Sequence, residues 1–258
     1  MTDRDEEGAA AALSGVRSVG RTLEIMSLLR EDRPAITLRE IQAETGLPRT
    51  TLVRLLSTLE QFGLLWGTGR HRYIPGPGLM RWAGLARDAW EMPAEARHAL
   101  RELVRVTRET ASIYVRQNVR RICVAQEQSP QALRHVTRVG RETPLNAAPG
   151  RVLIRDLSEE DLMRVAQDSP DPEQRLPLLR EWQREVKANG YAVTHGERED
   201  GLSVVAVPLV DGQGKVAAAL TLAGPTERFS DDKIAHFLDA LKVAATAIEQ
   251  SSFMVFTR

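Results

Sequence analysis

Val19, Leu23, Met26 and Leu29, with Ile25 and Leu28 beside them, recur at three- and four-residue spacing. That period is one face of an α-helix, so a helix is predicted over residues 16–30, broken by Asp32, Arg33 and Pro34. Thr37-Leu-Arg-Glu40 then has the form of a capping box, in which Thr37 accepts from the Glu40 amide and Glu40 reaches back. The second helix it starts turns Leu38, Ile41 and Ala43 inward and stops at Gly46, a residue suited to the left-handed turn at a helix C-terminus. Leu47-Pro48 restarts the chain, with Pro48 at the first helical position, and Leu52, Leu55, Leu56 and Leu59 form a third buried stripe that ends at Gly63. Residues 64–66 and 71–74 read as two short strands joined by Gly67-Thr-Gly69-Arg70, a hairpin turn.

Pro75-Gly-Pro-Gly78 ends this region, and a short helix is predicted over residues 79–90 before Met92-Pro93. Another follows over 94–110, with Ala96, Leu100, Leu103, Val104 and Thr107 on its apolar side. Strands are expected at 112–117 and 121–126 around Asn118-Val119-Arg120, and a third at 134–139 before Gly140. Ser158-Glu-Glu-Asp161 is a capped helix start, and residues 177–189 form a longer helix closed by Gly190. An apolar run at 202–210, the turn Asp211-Gly-Gln-Gly214 and an apolar partner at 215–222 make a second hairpin. Ser230 is expected to cap a last helix reaching about Gln250. The whole reads as α+β: a winged helix-turn-helix (16–77) after a disordered tail (1–15), a linker helix (78–92), and an antiparallel sheet domain with flanking helices (93–252) that offers a small-molecule pocket.

Composition narrows the classes. At 258 residues with 42% hydrophobic content the chain can bury proper cores. Lys plus Arg equals Asp plus Glu at 35 each, so any affinity for nucleic acid must come from a local basic surface. One cysteine, Cys123, excludes an internal disulfide and a multi-thiolate metal site and suits a reducing cytosol. No apolar run reaches the ~20 residues of a bilayer span, and the N-terminus does not read as a signal peptide, so a cytoplasmic protein is expected.

Candidate chemistry lies on the third helix, opposite its leucine stripe. Two short helices meeting at a glycine corner are the geometry that lays the second in a DNA major groove. Its first turns carry Arg49, Thr50, Thr51, Arg54 and Ser57, and the hairpin tip carries Arg70, His71 and Arg72. Arginine grips guanine or a phosphate, and threonine offers a hydroxyl or a methyl. With Arg17 and Thr37, the residues expected at DNA are Arg17, Thr37, Arg49, Thr50, Thr51, Arg54, Ser57, Arg70 and Arg72.

With these elements placed, the chain resembles the IclR family of bacterial transcriptional regulators from residue 16 to residue 250. The resemblance is carried by Ser18-Val-Gly-Arg-Thr-Leu-Glu-Ile-Met26, Leu38-Arg-Glu-Ile41 with Thr45-Gly-Leu-Pro48, and the segment from Thr51 to Gly63. Farther on, Thr143-Pro-Leu-Asn-Ala147, Asn189-Gly-Tyr-Ala-Val193, 201–208 and Ala219-Leu-Thr-Leu-Ala-Gly-Pro225 resemble landmarks of the effector domain. It implies a GAF-like effector domain, dimers that often pair into tetramers, and a repressor's binding to palindromic promoter sites that a small carboxylate or aromatic metabolite modulates. It also implies an effector between the sheet and the loop before the first inner helix, near Leu145, Asn146, Ala147, Thr194, His195, Val204, Thr221 and Ala223. The chain departs from the family pattern at Ala148-Pro-Gly-Arg151, where a Gly-Lys pair is usual, and at Thr194-His195, where acidic residues are common. Val204 and Ala223 stand where more polar residues are frequent, so a more apolar or larger effector is expected.

Other chemistry is weaker. Cys123, between Ile122 and Val124, reads as core. His195 with Glu197 and Glu199 has the alternation of a metal site but reads as a solvated loop, and Asp211-Gly-Gln-Gly-Lys215 lacks the spacing of a phosphate loop. No cofactor, metal or catalytic constellation is expected. The alternative to a ligand-responsive DNA-binding regulator is a GAF-like sensor or enzyme whose N-terminal domain contacts proteins.

Overall fold

A computed structural model of the chain describes residues 16–30, 32–69, 72–197 and 199–253. The expected tail at 1–15, Arg70 and His71 lie outside the described residues. The chain divides into two compact units, Met1–Ala89 and Trp90–Arg258.

The first unit runs α1 (Arg17–Ser27), β1 (Ile36–Thr37), α2 (Leu38–Thr45), α3 (Arg49–Gln61), β2 (Leu65–Thr68), β3 (Arg72–Pro75) and α4 (Gly78–Ala89). The capping box forms as the sequence requires: the Thr37 amide donates to Glu40 Oε2 at 2.6 Å and the Glu40 amide to Thr37 Oγ1 at 3.2 Å. Gly46 closes α2 at φ 64°. Ile25, Ile36, Ile41, Leu47, Leu52, Leu56, Leu59 and Leu65 form its core. A strand that pattern reading missed, β1, pairs with β3 through Ile36 opposite Tyr73, making the wing three-stranded. Two residues carry no period, so only the pairing partner makes them a strand. Gly76 and Gly78 are fixed by close backbone approach, because a Cβ on Gly76 would lie 2.2 Å from the Gly63 carbonyl oxygen. That fit brings the Gly78 amide to Gly63 O at 2.9 Å and aims the chain into α4.

The second unit runs α5 (Ala94–Thr107), β4 (Thr110–Gln117), β5 (Arg120–Glu127), β6 (Glu142–Pro144), α6 (Ala148–Leu153), α7 (Glu159–Gln167), α8 (Pro172–Asn189), β7 (Ala192–His195), β8 (Leu202–Val210), β9 (Val216–Pro225) and α9 (Asp231–Glu249). Its antiparallel sheet has the order β6-β5-β4-β9-β8-β7. Helices cover both faces. On one side Ile113, Val205, Val207, Leu220 and Leu222 pack with α5 and α9; on the other Tyr114, Ala206 and Ala219 pack with α6, α7 and α8.

Four local expectations are corrected. Residues 134–139 form no strand; the edge beside β5 is taken by Glu142–Pro144, and Val136 and Val139 are exposed. Ala148-Pro-Gly-Arg151, read as a loop, begins α6 with Pro149 in its first turn, where a missing amide proton costs nothing. The helix expected from Pro177 starts earlier, because Asp171 accepts from the Gln174 amide and caps it. Ser230 makes no side-chain cap to α9.

Gly150 seats α6 on the chain before it: a Cβ there would stand 2.6 Å from both the Leu145 Cα and carbonyl carbon. Gly150→Ala is expected to destabilise the second unit by about 1–3 kcal/mol, the usual cost of overpacking against a part that cannot move. Denaturant unfolding with an unchanged m-value is the check.

Candidate DNA-contact face and ligand cavity

Helix α3 buries Leu52, Leu56 and Leu59 and leaves Arg49, Thr50, Val53, Arg54 and Ser57 exposed, with Thr51 half-buried. The leucine spacing dictates this, since one buried stripe leaves the opposite face to water. Arg17 is exposed at the first position of α1, and Arg72 is exposed on β3. Thr37 is half-buried, and its hydroxyl donates to Glu40 Oε2 at 2.6 Å and accepts from the Glu40 amide, so it serves the start of α2. Among its neighbours Arg33 is tied to Glu44 and Glu40, which removes it from the free basic surface.

The second unit holds a small pocket, open to solvent, against the α6 side of the sheet. Ala147, Thr194, Val204, Thr221 and Ala223 line it, five of the residues expected there. Three expected residues do not. Leu145 is buried in the core beneath α6, with its carbonyl accepting from Arg175 at 3.1 Å. Asn146 is half-buried beside it and does not line the cavity; its Oδ1 is buried without a hydrogen-bond partner among the described residues. His195 follows Thr194 on a strand, so strand alternation sends it to the opposite face, where its Nδ1 lies 2.8 Å from Ser203 Oγ. Glu197, grouped with it in the sequence as a metal candidate, is instead bonded to Arg151 at 2.6 Å.

The cavity also has a wall that the pattern did not reveal: Tyr114, Arg121, His135, Pro149, Glu197 and Leu202. Arg121 is 2% exposed, its guanidinium 5.0 Å over the Tyr114 ring and its Nε donating to Thr143 Oγ1 at 3.0 Å. Thr137 accepts from the Tyr114 hydroxyl at 3.4 Å and meets His135 Nε2 at 2.8 Å. A bulge in β5 aims Arg121 here. Ile113 pairs with Ala125 but Tyr114 with Cys123, so Val124 is an extra residue, and the alternation changes phase across it. Ala125 therefore faces α5 while Cys123 and Arg121 face the cavity side. Strict period-2 reading puts all three on one face, and no residue type in 120–127 announces the bulge.

Ionic contacts hold the cavity's rim. The buried Glu109 carboxylate accepts two bonds from Arg228, at 2.5 and 2.7 Å, and Arg228 also donates to Leu133 O at 3.1 Å, fixing the loop that carries His135. The Arg151 and Arg175 guanidinium groups stand 4.4 and 4.5 Å from the Trp182 ring centre. Burial, helped by the neighbouring Arg151 charge, draws the Arg175 pKa below the usual arginine value. Among the described residues no three His, Cys, Asp or Glu side chains are grouped to hold a metal, and no helix is long and apolar enough to cross a membrane.

Two family models match the chain: the IclR helix-turn-helix domain over residues 18–66 and the C-terminal part of the bacterial transcriptional regulator IclR over residues 88–250. The HTH-type transcriptional regulator KipR of Bacillus subtilis is 27% identical over 245 residues, 91% of this chain and 96% of the relative. A crystal structure of a Rhodococcus protein described as an IclR-family regulator is 38% identical, covering 93% of this chain and 94% of its own, with a TM-score of 0.61. One from Alicyclobacillus acidocaldarius, also an IclR regulator, is 30% identical over 91% and 98%, with a TM-score of 0.70.

Burial pushes the Cys123 thiol up to about 12, outweighing the opposite pull of the Ala125 backbone and of the Arg121 charge. A folded value above the unfolded one means that the protonated thiol stabilises the fold below the unfolded pKa, and that this is lost as pH rises toward 12. At pH 8 Cys123 is expected to react with a thiol reagent at least about a hundredfold more slowly in native than in guanidinium-unfolded protein. Equal rates would contradict the burial.

Proposed function

Since the chain belongs to the IclR family of bacterial transcriptional regulators, we propose that it represses transcription from a palindromic operator and that a small acid held in the Arg121 cavity modulates its grip. The observation that carries the DNA reading is the exposed face of α3, where Arg49, Thr50, Arg54 and Ser57 stand opposite the leucine stripe. The division of labour follows the sequence: residues 16–77 contact DNA, 78–92 link, and 93–252 bind effector and self-associate. Repression is the direction carried in the names of two relatives, the transcriptional repressor IclR of Escherichia coli, 25% identical over 245 residues, and the acetate operon repressor of Salmonella typhimurium, 26% identical over 249. A second copy is expected to cover α1, which exposes Val19 and Leu23, and α4, which buries no residue and exposes Met80, Trp82 and Leu85.

The lining of the cavity adds an acid group to the sequence expectation of a more apolar or larger effector. Val204, Leu202 and Ala223 supply an apolar floor, but Arg121, Tyr114 and His135 give the β4–β5 end a cation and hydrogen-bonding groups. An acid with an apolar body fits both ends. In this reading the cavity binds and does not catalyse.

Arg54→Glu, in protein that stays folded and keeps its oligomeric state, is expected to weaken operator binding roughly tenfold or more. Wild-type affinity is expected to fall steeply with salt, with a log–log slope of about −0.9 per phosphate contact. An unchanged gel shift and a flat salt series would overturn the reading. In a thermal-shift panel, monocarboxylates such as benzoate and phenylacetate are expected to stabilise the protein and their neutral amides not, by about 2.7 kcal/mol at a hundred times Kd. Arg121→Met is expected to abolish that response. Amides as effective as the acids would sink the assignment of an acid.

A further inference from the structure

The outward face of α3 is polar except at one position. Val53 sits among Arg49, Thr50, Arg54 and Ser57 with 50% of its surface exposed. The core does not claim it: from this helix the core takes Leu52, Leu56 and Leu59, with Leu55 packed partly against it. At 3.6 residues per turn, Val53 lies one turn beyond Arg49 and Thr50 and one turn before Ser57. It is therefore within the first two turns of α3, the part of a recognition helix that reaches base edges.

We propose that Val53 reads sequence, packing its isopropyl group on the 5-methyl of a thymine in each operator half-site, beside the base pairs that Arg49 and Arg54 grip. The inference rests on the reading of α3 as the recognition helix and adds to it one identified base. Valine has no donor or acceptor to offer a groove, and a major groove displays one apolar group, the thymine methyl, among its donors and acceptors. In a helix the β-branched side chain is held almost entirely in one χ1 rotamer, so its two methyls present a fixed apolar surface that loses little freedom on contact. A merely solvated position gains nothing from valine, which is a weaker helix former than Lys, Glu or Gln. Thr50 and Thr51 also carry methyls, so the assignment has to be separated from them by experiment.

The full-length protein would be used to select binding sites from a random duplex library prepared in two forms, one with thymine and one with uracil, which pairs identically but lacks the methyl. Wild type is expected to enrich a two-fold motif with a fixed T·A pair in each half, and uracil at that position is expected to weaken binding about fourfold per half-site, one buried methyl's worth. Val53→Ala is expected to bind the thymine and uracil forms of that operator equally while keeping the guanine positions of the motif, and Val53→Ile is expected to retain the discrimination. If wild type selects a motif but binds both forms equally, or if Val53→Ala keeps the full thymine preference, the proposal is overturned and the recognition-helix reading stands. If wild type selects no motif at all, both fall.

Discussion

Strand β9 is the constraint on which the second unit depends. It is paired along both edges, to β4 and to β8, and covered on both faces, so each of its side chains must suit one of two interiors. Ala218, Leu220 and Leu222 face α5 and α9, while Ala219, Thr221 and Ala223 face the α6 side. Large residues fill the first interior. Small ones leave the second incompletely filled, and neighbours of the same kind, Ser112 and Ala206, extend the low floor. The cavity follows from this asymmetry of volume across one sheet, since close packing elsewhere permits few such gaps.

Several polar groups within this interior are held by neighbours. Thr221 donates to Ser112 O at 3.2 Å, the Ala148 amide meets Thr194 Oγ1 at 3.4 Å, and Arg121 is held by Thr143 and Tyr114. The Thr194 contact ties the start of α6 to β7, while Arg228 ties β9's exit to the loop bearing His135. Elements that line the cavity are thus joined to one another by bonds that cross it or skirt it. That gives a bound ligand several elements to bias at once, the physical requirement for a signal to leave the site.

The first unit is governed by local chemistry to a greater degree. A capping box, a left-handed glycine and one leucine stripe fix α2 and α3, and the stripe alone decides which side of α3 is left for a partner. Even so, the three-stranded wing needed β1, and the path from wing to α4 needed Gly63, Gly76 and Gly78 to meet backbone to backbone.

The sequence by itself determined the helices of both units other than α6, the three β-hairpins, the exposed basic and hydroxyl-bearing side of α3, and five of the residues that line the cavity. These are legible because a period of 3.6 or 2, a cap or a glycine is written in neighbouring residues. Arg121, Tyr114 and His135 were decided only by tertiary structure: one by a bulge that shifts strand phase, one by the strand partner across it, and one by a loop pinned through Arg228. His195 and Leu145 left the expected site for separate reasons, local alternation on β7 and the seating of α6 on Gly150. Periodicity assigns a residue to a face only while the register holds, and register is a property of two strands, which no stretch of one chain segment contains.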